Sequence, residues 1–273
     1  MSVQSSASKR WLKRWSRRAV AAADHATRRV LGGSPPIGLR ILTYHRIEND
    51  TQDPFAVSPE AFRSQMAMLR SAGQVVPLGE ALDRLTHEER ESSSVALTFD
   101  DGTRDFLENA LPVLEQLHLP ATLYVSPERV GSPGFLDWSE LKRMVGPIVA
   151  VQSHGLDHRS LGRMDSVELW RQVDQSKKIL EDRLACPVTS IAYPYGTIMD
   201  FDARVKESVR RAGYQCGCSS VNGINHPGAD RYELRRTKIE QGDLPSFPLI
   251  LAGGLDRWAL IDRYLAGLQN RYL

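Results

Sequence analysis

From residue 38 onward, short apolar runs alternate with stretches in which apolar residues recur every three or four positions. The runs are Leu39–Tyr44, Val95–Phe99, Ala121–Val125, Ile148–Gln152, Ser190–Tyr193, Tyr214–Cys218 and Leu234–Thr237. Their shortness and apolar content predict buried strands. Helical spacing fills the intervals, the longest around Leu169, Val173, Leu180 and Leu184, and the chain closes on Trp258, Ile261, Leu265 and Leu268. One helix carries the signals for both of its ends: Ser58 as N-cap, Pro59 in the first turn, Phe62, Met66 and Leu69 on the buried face, and Gly73 as the stop. Strand and helix in repeated alternation predict an α/β fold with a parallel sheet covered by helices. Seven strands within residues 38–273 suit a barrel better than an open sheet, although the pattern alone leaves both open.

Residues 1–37 read differently. Trp11, Leu12, Trp15, Ala19, Ala22, Ala26 and Val30 recur at helical spacing among Lys9, Lys13, Arg14, Arg17 and Arg18, and Gly32-Gly33-Ser34-Pro35-Pro36 ends the pattern. This predicts a short basic helical arm and linker ahead of the main domain at 38–273. Two roles are open for the arm. It suits an anionic membrane surface, with Trp11 and Trp15 at the headgroups, or it leans on the domain as a solvated helix or frays as a tail, since a mostly alanine face buries little area.

Composition narrows the class. With 41% hydrophobic and 25% charged residues in 273, a large core is possible and disorder is excluded. The net charge of +2 divides into +7 for residues 1–37 and −5 for the remainder, so a basic surface for specific nucleic-acid recognition is not expected. No apolar run reaches the eighteen or so residues of a membrane span, and Ala19–Ala23 is too short for a signal-peptide core. The expected location is therefore cytoplasmic, with the inner membrane face as the place where the arm would act. Cys186 stands alone; Cys216 and Cys218, two apart on a strand, face one side and read as core residues, with a metal pair as the alternative.

Polar residues of catalytic kind stand at several strand ends, which form the mouth of a parallel barrel. The second run leads into Asp100-Asp101-Gly102. Gly102 at positive φ would break the strand and let both carboxylates reach one site. Adjacent carboxylates repel unless a cation or a shared proton relieves them; with a metal, one ligates and the other stays free as a base. The fourth run leads into Ser153-His154-Gly155-Leu156-Asp157-His158, where the i, i+4 spacing of the histidines predicts one helical turn presenting both imidazoles to one ion. Asp101, His154 and His158 as three ligands would leave a position for water, as in catalytic sites. The fifth run leads into Tyr193-Pro194-Tyr195-Gly196, a turn whose backbone N–H could point into the mouth.

Together and in this order, these segments resemble the polysaccharide deacetylase (NodB-homology) family, carbohydrate esterase family four, over roughly residues 38–240. Thr98-Phe99-Asp100-Asp101-Gly102 is similar to its first motif, Ser153 to His158 to its second, and Ala192-Tyr193-Pro194-Tyr195-Gly196 to a variant of its third. Tyr44-His45-Arg46, Phe135-Leu136-Asp137-Trp138 and Leu234-Arg235-Arg236 are similar to the branch acting on exopolysaccharide sugars. The resemblance implies a distorted (β/α)7 TIM-like barrel, one divalent metal, usually zinc, and hydrolysis of an N-acetyl group on an amino sugar. It implies Asp100 as general base, Asp101, His154 and His158 as metal ligands, and the Tyr195 backbone N–H as oxyanion donor.

Two positions depart from the family pattern. Where many members carry an arginine that holds the base, this chain has Ala192, and Arg236 is the candidate substitute. No histidine follows His226, so the general acid is either Asp100 returning its proton or His45 at the first strand end, where a pocket-shaping role is equally open. Trp138, Tyr193 and Pro194 are candidate substrate contacts, Trp138 by stacking on a sugar ring unless it simply opens a helix. The expected activity is metal-dependent N-deacetylation of a polysaccharide, lipid-linked sugar or glycan precursor. The alternative is a carbohydrate-binding or regulatory module that keeps the metal site without turnover.

Overall fold

The computed structural model describes residues 15–24, 26–27, 37–50, 52–86 and 93–261. Seven strands are present, one in each expected run: β1 (Leu39–Tyr44), β2 (Ser94–Phe99), β3 (Ala121–Val125), β4 (Val149–Ser153), β5 (Ser190–Ala192), β6 (Cys216–Cys218) and β7 (Arg236–Lys238). They form one parallel sheet in the order β6-β5-β4-β3-β2-β1-β7. The two edge strands approach each other: Leu234 N–H donates to Gly217 O (2.9 Å), Ser219 N–H to Leu234 O (2.8 Å) and Arg236 N–H to Val221 O (3.0 Å). The sheet thus curls into a nearly closed barrel, the architecture the sequence led us to expect.

Helices cover the outside. Residues 15–24 are helical (α1), and α2 (Pro59–Ala72) and α3 (Leu78–Thr86) connect β1 to β2. The crossovers that follow are α4 (Leu111–Leu117), α5 (Trp138–Met144), α6 (Ser166–Leu184) and α7 (Ala203–Arg211), and α8 (Phe247–Leu251) comes after β7. The ends of α2 obey their chemistry. Ser58 accepts from Ala61 N–H, and Gly73 takes φ 66° as it caps the last turn.

Strand alternation sorts the side chains. Leu42, Tyr44, Leu97, Phe99, Leu123, Val151, Ile191 and Tyr193 pack outward with the helices in the main core. Ile41, Ala96, Tyr124, Ala192, Cys216, Cys218 and Leu234 form a second, interior cluster, which α3 joins through Leu78, Ala81 and Leu82. Cys216 and Cys218 are free, buried core residues, as their spacing predicts.

The described part of the arm lies on the barrel. Arg17, 2% exposed, bonds Asp243 (2.8 Å), Glu240 (3.3 Å) and the Lys238 carbonyl (2.8 Å). Asp24 pairs with Arg257 at 3.0 Å, and a Cβ on Gly254 would come within 2.9 Å of the Ala21 backbone. For residues 15–24 this favours the reading in which the arm leans on the domain: one cation of the basic face, Arg17, is spent inside the fold on two acids. Trp11, Leu12, Val30, the Gly32–Pro36 linker, Leu265 and Leu268 lie outside the described residues. No described helix is long and apolar enough to cross a membrane.

Candidate active site

At the C-terminal ends of the strands, Asp100 and Asp101 follow β2, His154 follows β4, and Tyr195 lies three residues past β5. Gly102 takes φ 71°, as expected, but Asp101 is left-handed as well, at φ 75°. A Cβ on Gly102 would meet Val125 Cγ2 at 2.9 Å, so the turn has room only for glycine. Five described non-glycine residues have left-handed φ. His118 and Ala185 cap helices; Asp101, His158 (67°) and Tyr195 (61°) stand together at this mouth. Strain of that kind concentrates at functional sites.

Asp100 is buried and gripped by Arg236, whose Nη1 and Nη2 reach its two oxygens at 2.7 and 2.8 Å. Arg236 is fully buried on β7, donates from Nε to Ser219 O (2.7 Å) and lies over the Tyr124 ring. Burial works to raise the Asp100 carboxyl, but the charges of Arg236 and His154 outweigh it and hold Asp100 below the ordinary carboxylate range. Below the pair, the Thr43 and Thr98 hydroxyls meet at 3.0 Å. His45, at the end of β1, places Nε2 3.8 Å from Asp100 Oδ2 and packs its ring on Phe55. Burial lowers the His45 imidazole, against the pull of the two aspartates.

His154 Nδ1 stands 2.8 Å from the Ala192 carbonyl, which can only accept. That contact puts the proton on Nδ1 and frees Nε2 for the mouth. Asp101 Oδ1 lies 3.0 Å from His158 Nε2 and 3.7 Å from His154 Nε2, and it is a buried oxygen without a hydrogen bond. Burial brings His154 down to about 4. Burial pushes Asp101 up, but the His158 contact and the charge of His154 hold it well below the usual range. One oxygen and two imidazole nitrogens, all within 4.8 Å of one another, fit a divalent ion of the zinc class.

The histidine loop corrects one expectation. Residues 154–158 form no helical turn; Gly155 at φ 72° and His158 at 67° fold an irregular loop that still brings the imidazoles to 4.9 Å. The sequence reading missed what shapes this loop: buried Gln172 accepts from Leu156 N–H (3.0 Å), and Ser176 donates to the Gly155 carbonyl (2.9 Å). Both sit on the inner face of α6 with Leu169 and Val173, and polar residues on an apolar stripe were the available signal.

The candidate substrate contacts are also corrected. Tyr193 shares the outward face of β5 with Ile191, is fully buried, stacks on Phe201 and donates to Tyr232 O at 2.7 Å. Pro194 is buried, and its Cγ would lie 3.1 Å from a Cβ on Gly155. Trp138 opens α5 behind a capping box made by Asp137 and Glu140 and is half-buried against the main core with Arg183 over its ring, as a helix-opening packing residue. Tyr195 is 59% exposed with its ring edge-on to His158 at 5.0 Å, so its side chain, unlike those three, faces the mouth.

At the mouth of a parallel barrel, one carboxylate and two imidazole donors that could hold a metal ion thus converge beside an arginine-held aspartate. The polysaccharide deacetylase family model matches residues 87–217, taking in Asp100, Asp101, His154, His158 and Tyr195. YxkH of Bacillus subtilis (strain 168), named for the polysaccharide deacetylases, is 27% identical over 209 residues, 76% of this chain and 73% of that protein. The poly-beta-1,6-N-acetyl-D-glucosamine N-deacetylase of Staphylococcus aureus (strain MRSA252) is 26% identical over 200 residues, 68% of each chain. Among solved structures, the Streptococcus pyogenes deacetylase PplD in complex with acetate aligns with TM-score 0.73 and 25% identity, covering 80% of this chain and 99% of that one. Over residues 87–217 the chain is similar to the polysaccharide deacetylase family.

Proposed function

We propose that this protein hydrolyses the N-acetyl group of an amino sugar in a glycan, with a metal-assisted site at the barrel mouth. Asp101 Oδ1, His154 Nε2 and His158 Nε2 would hold one divalent ion, and zinc suits two imidazoles and a carboxylate best. An ion bound there supplies Lewis acidity toward the acetyl carbonyl and toward water. Asp100, kept ionised by Arg236, accepts the proton of the attacking water. The Tyr195 N–H donates to the oxygen that gains charge as the carbonyl carbon becomes tetrahedral. The C–N bond then breaks, and the amine leaves with a proton returned by Asp100 or by His45, which lies beside it. Acetate and a free amino sugar are the products.

The observation that carries this reading is the bidentate Arg236–Asp100 pair set beside the three-donor cluster. A binding module without turnover was suggested by Ala192 standing where many family members carry an arginine and by the lack of a late histidine; the Arg236–Asp100 contact from another strand speaks against the first of these motives. The substrate for which the staphylococcal relative is named directs the choice of assay toward β-1,6-linked N-acetylglucosamine oligomers. Zinc-loaded protein is expected to release acetate from such oligomers or from other N-acetylated glycans in a panel. Asp100→Asn, at equal zinc content, is expected to lose activity by about a hundredfold or more. No acetate release from the whole panel, or full activity in Asp100→Asn, would refute the proposal.

A further inference from the structure

The loops that carry His158 and Tyr195 are joined by a residue outside every motif discussed so far. Asp200 is 5% exposed. Its Oδ1 accepts from Ser160 Oγ at 2.6 Å, and its Oδ2 accepts from Thr197 N–H at 2.9 Å and from Thr197 Oγ1 at 2.5 Å. Its carbonyl accepts from Gly162 N–H at 2.8 Å, and its own N–H donates to Thr197 O at 2.9 Å. Ser160 lies two residues past His158, and Thr197 two residues past Tyr195. At Gly162 the two backbones touch: a Cβ there would stand 2.6 Å from Met199 O and 2.9 Å from Asp200 C.

We propose that Asp200 is a positioning residue that ties the metal-side loop to the oxyanion-side loop and sets the spacing between His158 and Tyr195. The inference rests on the functional reading above and extends it to a residue that touches neither substrate nor metal. His158 and Tyr195 both hold left-handed φ and pack edge-on. Backbone in that region persists only where its surroundings over-determine it. A carboxylate suits the junction because it has no proton to place: one oxygen serves each loop, and every donor is a group of the loop it fixes. Through Ser160 it holds the metal-side loop, and through Thr197 it holds the turn that aims the Tyr195 amide.

The test uses the full chain and reads zinc affinity, by competition with a chromophoric chelator, alongside kcat and KM for acetate release. Asp200→Ala is expected to weaken zinc about tenfold and to lower kcat about tenfold or more, as losses behind a metal site commonly do, with KM within about twofold. Asp200→Asn should recover most of both, because its amide keeps an oxygen for Thr197 and offers an N–H to the Ser160 hydroxyl. The two arms should separate: Ser160→Ala shifts mainly zinc affinity, while Thr197→Val lowers kcat with zinc affinity intact. Met66→Ala, a core truncation under α2, controls for lost stability alone. The proposal is overturned if Asp200→Ala folds and keeps zinc affinity and kcat within twofold, or loses no more than Met66→Ala at a matched drop in Tm. Should Asp200→Ala fail to fold, unchanged zinc affinity and kcat in both single-arm variants would overturn it instead. Wild-type protein that neither binds zinc nor releases acetate would fail the functional reading first, before any variant is compared.

Discussion

Arg236 reaches both oxygens of Asp100 from a strand 136 positions later in the chain, at 2.7 and 2.8 Å. Neither residue has water to fall back on, because both are buried. Removing the guanidinium leaves a buried carboxylate uncompensated, which costs about 3–5 kcal/mol. Arg236→Met is therefore expected to lower stability by that amount in urea unfolding and to abolish acetate release. Arg236→Lys should rescue little of the activity, since a single ammonium cannot match the fork. Asp100→Asn combined with Arg236→Met should be more stable than Arg236→Met alone. If the double variant is no more stable, the two side chains are not energetically coupled.

How much of this was legible in the sequence depends on how local the signal is. Six of the strands were, because each lies in a short run of apolar or small residues; β7 is Arg-Thr-Lys, and the run that pointed to it, Leu234–Thr237, begins two residues early. The ends of α2 were too, since Ser58, Pro59 and Gly73 act on their own turns. The Arg236–Asp100 contact could be guessed only by asking what replaces an absent arginine, because no local rule joins residues so far apart. Spacing misled at His154 and His158: two residues four apart can converge through a left-handed loop as well as through a helix. Tyr193 was readable and misread. It has the parity of the core residue Ile191, and strand alternation should have sent it outward. Asp200 carries no motif, and its importance comes from burial that only the folded chain reveals, whereas Gln172 was marked only by its place on the apolar stripe of α6.

The arm tests whether a buried cation is integral to the fold. Arg17 stands against Asp243 and Glu240 with all three side chains almost fully buried. Arg17→Ala is expected to destabilise the protein by about 3 kcal/mol, in the range for breaking a buried pair, measured as a shift of the urea midpoint. Arg17→Lys should fall between, since it restores charge without the two-sided geometry. An unchanged midpoint in Arg17→Ala would mean that the arm is detachable.

Gly217 tests the outward packing of Tyr193. A Cβ there would lie 2.2 Å from the Tyr193 hydroxyl oxygen and 2.7 Å from Cζ, too close for any rotamer shift of the buried ring to relieve cheaply. Gly217→Ala is expected to cost about 1–3 kcal/mol by overpacking. Adding Tyr193→Leu to Gly217→Ala should make the alanine itself less costly, because the clashing atoms are gone. If Gly217→Ala costs the same in both backgrounds, the ring does not occupy the place described.

The metal donors make a prediction that does not depend on finding the substrate. Reconstituted wild-type protein is expected to hold about one zinc per chain, by elemental mass spectrometry, as one carboxylate and two imidazoles would give. His158→Ala and Asp101→Ala should each lose it while keeping the fold, because both residues lie in loops beyond the strands. The His154 tautomer adds a finer point. Its Nδ1 is engaged by the Ala192 carbonyl, so Nε2 alone is left for the ion, and His154→Gln, which offers a weaker neutral donor, should lower zinc affinity by tenfold or more. Removing zinc from the wild type by chelation should raise the susceptibility of the 154–158 loop to proteolysis, since an ion held by His154, His158 and Asp101 would restrain that loop. Equal zinc content in all four proteins would show that the cluster is not the binding site, and Asp100 would then need another source of activation.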